Sequence, residues 1–215
     1  RANEMKVCTS AQMAAIDRET IEGGIPGVEL MERAGAAMTE ILLEMLSEGA
    51  DHDHGPACGH DHGHDHGGED GPSVVILCGK GNNGGDGLVM ARLLAEEGCH
   101  VTVMLLSKPT NFSPDAMANF DLLPDEVDTV DADPADWPAE FTALAADCDV
   151  VVDAIFGTGI TPPLRGPHAD LIRVVNDSGL KCLAVDIPSG VSGDDGRVDP
   201  VAVGADVTVT MGLPK

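Results

Sequence analysis

Three carboxylates in this chain stand where a side chain can do chemistry. Asp86 lies in Gly79-Lys80-Gly81-Asn82-Asn83-Gly84-Gly85-Asp86-Gly87, between a strand-like run and a helix-like run. Asp153 closes the apolar run Val150-Val151-Val152. Asp186 closes Cys182-Leu183-Ala184-Val185, with Ser189 just beyond it. Alternating strands and helices build open α/β sheets, which bind ligands beyond the carboxyl ends of their strands. The three acids are therefore expected to converge on one edge. A carboxyl group there can give and take a proton; burial raises its pKa and a nearby cation lowers it. Each acid taken singly also has a plainer use, capping the helix or loop that follows its strand.

Glycines 79, 81 and 84 satisfy G-x-G-x-x-G, the spacing that lets a backbone approach a dinucleotide phosphate at a helix N-terminus. A tight strand-to-helix turn gives the same spacing, and Asn82 and Asn83 suit a turn as well as a ligand. The usual fingerprint also wants an acid near the end of the second strand to hold a ribose. Here that place reads Ser107-Lys108. The loop lacks the G-K-[ST] ending of a P-loop. This excludes an ordinary dehydrogenase site and a P-loop site.

These residues need a scaffold, and the sequence supplies a repeating one. Buried strands are expected at 73–78, 100–106, 149–153, 182–186 and 207–210, with a short extended piece at 127–130. Between them, Leu88, Ala91, Leu94 and Ala95 mark one helix. Ser113-Pro114 start another, running to about 123. A third lies around 138–146, and Leu171, Ile172 and Val175 mark a fourth. The fold class expected is α/β, Rossmann-like and doubly wound, with a mainly parallel sheet and helices on both faces. Two helices precede it. Thr9-Ser10-Ala11-Gln12 has capping-box spacing, with Met13, Ile16, Thr20 and Ile21 on one face, and Gly23-Gly24 end that helix. Met31, Ala34, Met38, Ile41, Leu42 and Met45 follow at helical spacing, and Ala34-Gly35 permits close packing.

The 215 residues carry 37 acids and 12 Lys and Arg, a formal net charge of −25. Phosphate backbones repel such a chain, so nucleic acid is excluded as a partner. The acids are dispersed rather than gathered in a tail. That suits a halophilic, high-salt cytoplasm, and an ordinary acidic protein is the alternative. No apolar run approaches the roughly 20 residues that span a bilayer, so no membrane partner is expected. The six cysteines include no CxxC pair, and Cys78, Cys148 and Cys182 sit in or beside apolar runs, which reads as a reduced, cytoplasmic protein. The chain starts at Arg1 without a leader-like apolar stretch, and its natural start is expected to lie upstream.

Residues 50–72 break every periodicity. His52, His54, His60, His62, His64 and His66 alternate with Asp and Gly, and six of the eight histidines fall there. The stretch is too polar to pack and is expected to be a disordered loop. With Cys58 it offers loose ligands for zinc or nickel, though no closed tetrahedral spacing; a solvated spacer is the alternative.

Four motifs in order carry a resemblance: Leu30-Met31-Glu32-Arg33-Ala34-Gly35, Gly81–Gly87, Asp153-Ala154-Ile155-Phe156-Gly157-Thr158-Gly159 and Asp186-Ile187-Pro188-Ser189-Gly190. They resemble the NAD(P)H-hydrate epimerases, the YjeF N-terminal domain family, over nearly the whole chain as one epimerase domain, apart from 50–72. The resemblance implies an isomerase that interconverts the R and S forms of hydrated NADH and NADPH, a nicotinamide nucleotide repair. It implies a Rossmann-like fold, a homodimer and a bound potassium ion. Carried over by motif, the substrate would touch Asn82, Asn83, Gly84, Gly85 and Asp86. It would also touch Asp186 and the run Gly157, Thr158, Gly159, Ile160, Thr161, Pro162 and Pro163. Asn83, Asp153 and Ser189 would hold the potassium, and Asp186 would be the catalytic acid–base group. The sequence does not separate hydrated NADH from hydrated NADPH as the preferred substrate, although Lys108, outside these motifs, suits an extra phosphate. Two departures stand out: the histidine-rich insertion, and the stop at Lys215, where family sequences run on, in many members into a dehydratase domain. A non-catalytic binding scaffold of the same fold, and a metal-handling protein using the histidine loop, are the rival readings.

Overall fold

The computed structural model describes residues 7–50, 71–160 and 163–213. The six histidines of the insertion, and Thr161 and Pro162, lie outside them.

Six strands form one sheet: β1 (Ser73–Cys78), β2 (His100–Leu105), β3 (Asp128–Val130), β4 (Val150–Ala154), β5 (Lys181–Val185) and β6 (Val207–Val209). Their order is β3-β2-β1-β4-β5-β6 and every pairing is parallel. The strands alternate with α3 (Asn82–Glu96), α4 (Pro114–Phe120), α5 (Trp137–Ala145) and α6 (Pro167–Asp177), as the expected α/β class requires. β1 is buried on both faces, which is why its sequence is an unbroken apolar run rather than an alternation. Val74, Ile76 and Cys78 pack with Met38, Leu42, Leu88 and Leu94. Val75 and Leu77 point the other way, onto Trp137, Phe141, Leu171 and Ile172. Helices thus cover both faces. Each fully buried Leu or Phe contributes about 1.5–3 kcal/mol.

The chain moves outward from β1 to β2 and β3, then returns to β4 on the other side of β1. That reversal opens a crevice between the carboxyl ends of β1 and β4. The ends are level, because Cys78 pairs with both Leu105 and Ala154.

Two helices come first. Thr9 caps α1 (Ser10–Glu22) with the expected capping box: its hydroxyl accepts from the Gln12 amide at 3.2 Å, and Gln12 Oε1 accepts from the Thr9 amide at 2.9 Å. Only Met13 of its apolar face is buried, whereas Ile16 and Ile21 are exposed. α1 lies on edge loops instead of the core. Ser10 N donates to Asp194, and a Cβ on Gly212 would come within 2.6 Å of Met13 Cε. α2 (Gly27–Ala50) packs on α3 at Gly35, where a Cβ would meet Val89 at 2.4 Å, so the helix axes approach as only glycine allows.

Three boundaries differ from expectation. α3 begins at Asn82, inside the glycine loop, because its first turn is too glycine-rich to announce a helix. α4 stops at Phe120, and Leu122 and Leu123 form a turn before Pro124, since a residue preceding proline resists helical dihedrals. The segment 50–72 also yields at its ends, with Ala50 closing α2 and the Pro72 carbonyl accepting from the His100 amide. No helix among the described residues is long and apolar enough to cross a membrane.

Candidate active site

The strand-to-helix turn after β1 is built by backbone contact. A Cβ on Gly79 would fall 1.9 Å from the Ile155 carbonyl oxygen, and one on Gly84 equally close to the Gly79 carbonyl oxygen. Both positions admit only glycine: Gly79 sets the β1 turn against the β4 turn, and Gly84 closes the β1 turn on itself. Gly81 is the N-cap of α3 and provides no capping side chain. Asn82 Oδ1 accepts from the Ser113 hydroxyl at 2.8 Å, and the Lys80 carbonyl accepts from the Ser113 amide at 2.9 Å, tying the turn to the start of α4.

Asn83 lies one step further in and is only 9% exposed. Its Oδ1 stands 3.1 Å from where a Cβ on Gly157 would be, and its Nδ2 has no hydrogen-bond partner. An unsatisfied buried donor is costly, so it points to an acceptor supplied from outside the chain. Asp86, one turn along α3, is buried as well. Burial first, then the charges of Asp186 and Asp17, hold its carboxyl well above the usual range.

Asp153 ends β4 with no exposed surface. Its Oδ1 accepts from the Ser189 hydroxyl at 2.6 Å and the Ile155 amide at 3.2 Å, and its Oδ2 accepts from the Ser189 amide at 2.7 Å. Burial pushes its pKa up to about 6, against the downward pull of these hydrogen bonds. Ser189 Oγ in turn accepts from the Phe156 amide at 2.9 Å. Its single proton goes to Asp153, the nearer acceptor, rather than to the Phe156 carbonyl at 3.3 Å.

Asp186 follows β5 with φ +67°, the one described non-glycine residue in the left-handed region. Val209 O accepts from its amide, its carbonyl accepts from Thr210 Oγ1, and its Oδ1 accepts from the Met211 amide at 3.3 Å. Its Oδ2 lies 3.5 Å from the same Gly157 Cβ position that Asn83 approaches. Asp186, Asn83 and Gly157 therefore share one small space at the β1–β4 crevice.

The three acids gather at one edge but divide. Asp86 feels the charge of Asp186, whereas Asp153 sits in its own knot with Ser189. Asn82 is drawn off to Ser113. Gly84 and Gly85 lie buried inside the first turn of α3, and a Cβ on Gly85 would strike Met31 Sδ. Of the substrate run, Thr158 lies by Gly193, Gly159 is exposed to open space, Ile160 packs on the α5–α6 core, and Pro163 is exposed.

Sequence reasoning missed four participants. Asp17 on α1 reaches Asp86 electrostatically. The Phe156 amide anchors Ser189. Trp137 and Phe156 both contact the His168 ring, with centroids 4.8 and 4.9 Å from it, and burial lowers the His168 pKa. Proline after Trp137 and before His168, a helix-start signal, could have placed both rings at this edge.

An acid held in a strained backbone at open strand ends, beside a second carboxyl whose pKa burial raises, can move protons on a bound substrate. Residues 27–215 match the family described as YjeF-related protein N-terminus. The chain is 36% identical to an NAD(P)H-hydrate epimerase of Limosilactobacillus fermentum, over 96% of this chain and 86% of that protein. It is 37% identical to a bifunctional NAD(P)H-hydrate repair enzyme of Thermofilum pendens, over 98% of this chain and 36% of that protein. It thus spans about a third of the length of such bifunctional relatives. The crystal structure of the yeast protein ynu0 superimposes with a TM-score of 0.73 at 27% identity, covering 98% of this chain and 82% of that one. On the family match and these relatives, the chain belongs to the YjeF-related N-terminal family.

Proposed function

We propose that this chain epimerises hydrated NADH and NADPH, interconverting their R and S forms. The observation that carries this reading is Asp186: a buried acid on left-handed backbone, its Oδ2 turned to the space shared with Asn83 and Gly157 at the strand ends.

The hydrated ring carbon bears a hydroxyl next to a ring nitrogen. Protonating the hydroxyl lets water leave while the nitrogen stabilises the cation, and water returns to either face. Opening the ring to an aldehyde serves equally. Both routes need one group that gives and takes a proton, and Asp186 takes that role. Burial and the Asp186 charge raise the pKa of Asp86 well above the usual range, which favours a protonated carboxyl that can donate a hydrogen bond beside an anionic substrate. Of the residues the resemblance implies, Gly157, Thr158 and Gly159 would line the substrate, while Asn82, Gly84, Gly85 and Ile160 are engaged elsewhere in the fold.

Asn83 Oδ1, the Asp153 carboxylate and Ser189 Oγ would hold potassium. The residues fit: all are oxygen donors, and among the described residues no cationic side chain neutralises the buried Asp153. Potassium supplies a fixed positive charge at the strand ends. The length of the bifunctional relatives supports a chain that works fused to, or alongside, an NAD(P)H-hydrate dehydratase; a cytoplasmic homodimer belongs to the same reading.

The test is the epimer ratio of hydrated NADH followed with and without the protein. Rapid approach to the equilibrium ratio is expected; an unchanged rate of spontaneous equilibration overturns the reading.

A further inference from the structure

A polyanionic dinucleotide must approach a chain of net charge −25, so the placement of its few cations is informative. Several are neutralised next door: Arg33 by Glu29, Arg92 by Glu32 and Arg173 by Asp170. Three others follow the carboxyl ends of three adjacent strands. Lys108 comes after β2, Lys80 after β1, and Arg165 in the segment after β4. Lys80 and Arg165 are exposed and form no ion pair among the described residues. Lys108 pairs with Asp131, after β3, at 2.8 Å. That pair is solvent-exposed and easily exchanged. Arg18 and Lys181, also without an ion pair among the described residues, lie on α1 and at the opposite end of β5.

Beside Lys80, the uncapped N-terminus of α3 presents free amides, and the buried Asn83 Nδ2 has no partner there. A Cβ on Gly81 would meet nothing within 4 Å, so the space over the turn is open. Fixed donors of this kind await an anion. On the far side of Asn83, its Oδ1 and Asp186 Oδ2 flank Gly157.

We propose that this cation row sets the direction of the bound dinucleotide, with Lys108 reading the ribose 2′-phosphate that distinguishes hydrated NADPH from hydrated NADH. The pyrophosphate lies over Lys80 and the start of α3, within reach of Arg165. The reactive ring lies toward Asp186, and the adenosine ribose toward Lys108, where its phosphate displaces Asp131. The proposal rests on the epimerase reading and adds its substrate preference.

The test compares KM for the two hydrates in wild type, Lys108→Gln and Lys80→Gln. Lys108→Gln is expected to raise KM for hydrated NADPH about tenfold more than KM for hydrated NADH. Lys80→Gln should raise both alike, also about tenfold. Lys108→Arg, which keeps the charge, should restore most of the preference. Equal changes on both hydrates in Lys108→Gln, or none, overturn the assignment. Calorimetric affinities for NADP+ and NAD+ on the same proteins separate this failure from that of the parent reading. If neither hydrate is epimerised yet Lys108→Gln abolishes a preference for NADP+, the epimerase reading fails and the row stands. If turnover is normal and the preference does not depend on Lys108, or neither nucleotide binds, the row fails.

Discussion

Asp153 and Asp186 end neighbouring strands and each closes an apolar run, yet their settings are opposite. Asp153 has no exposed surface, and three donors fill its oxygens. Asp186 stands on left-handed backbone, with one oxygen toward the Met211 amide and the other toward the crevice. The first ties two loops together: through Ser189 it binds the turn after β5 to the turn after β4. The second is aimed at whatever enters. One sequence signal, an acid after a buried strand, therefore covers two jobs, and hydrogen bonding tells them apart.

The largest test of this contrast is Asp186→Asn, which keeps shape and removes the proton carrier. Turnover is expected to fall by roughly 10²–10⁴, with an unchanged circular dichroism spectrum. Near-normal turnover would erase the distinction. Ser189→Ala probes the other acid. It leaves the Phe156 amide without its acceptor and Asp153 Oδ1 without a donor, so unfolding free energy should drop by roughly 1–3 kcal/mol in urea titrations. Turnover should suffer less than in Asp186→Asn, and any advantage of potassium over sodium chloride should shrink. A larger loss of turnover than of stability would put Ser189 on the chemical side of the comparison.

A subtler test uses Asp86, the third acid. Its proton is held more tightly in the folded chain than in the unfolded one, because its folded pKa is raised above the ordinary 3.8. Its contribution to stability is complete below that ordinary value and is lost as pH climbs toward the raised one. Asp86→Asn cannot ionise, so its stability relative to wild type should improve steadily as pH rises above the ordinary carboxylate range toward the raised pKa. A pH-independent difference would mean that burial does not hold the proton. The smallest expected effect comes from the other end of the molecule. Residues 51–70 fall in the sequence between α2 and β1, whose amino end is opposite the acids. Replacing them with a short Gly/Ser linker should change epimerisation little and stability by no more than about 0.5 kcal/mol. Lost epimerisation would show that the partition between the two edges is wrong.

The strands were readable in the sequence because both faces are buried. Val74 to Cys78 and Val150 to Val152 have no polar partner to confuse the pattern. The convergence of acids at one edge followed from strand order alone. What stayed hidden depends on backbone sign and on contacts between distant parts of the chain. Nothing in Asp186-Ile187-Pro188 announces φ +67°, and nothing in α1 announces that Asp17 will face Asp86. Likewise the first turn of α3 hid behind its glycines, which are there because carbonyl oxygens occupy the space a Cβ would need.

The all-parallel sheet also bears on how quickly the chain can find its shape. β1 is the hub, and its first amide donates to the Asp149 carboxylate across 76 residues of chain. No hairpin offers a local start among the five strand pairings. Loop-closure entropy must therefore be met before these contacts form, which makes the conformational search slow. Repulsion among 37 carboxylates adds to that search in dilute buffer, before any core exists to offset it. Added electrolyte should then act first on the rate of collapse, and the crevice between β1 and β4, which needs both ends of that long loop, should be among the last parts to form.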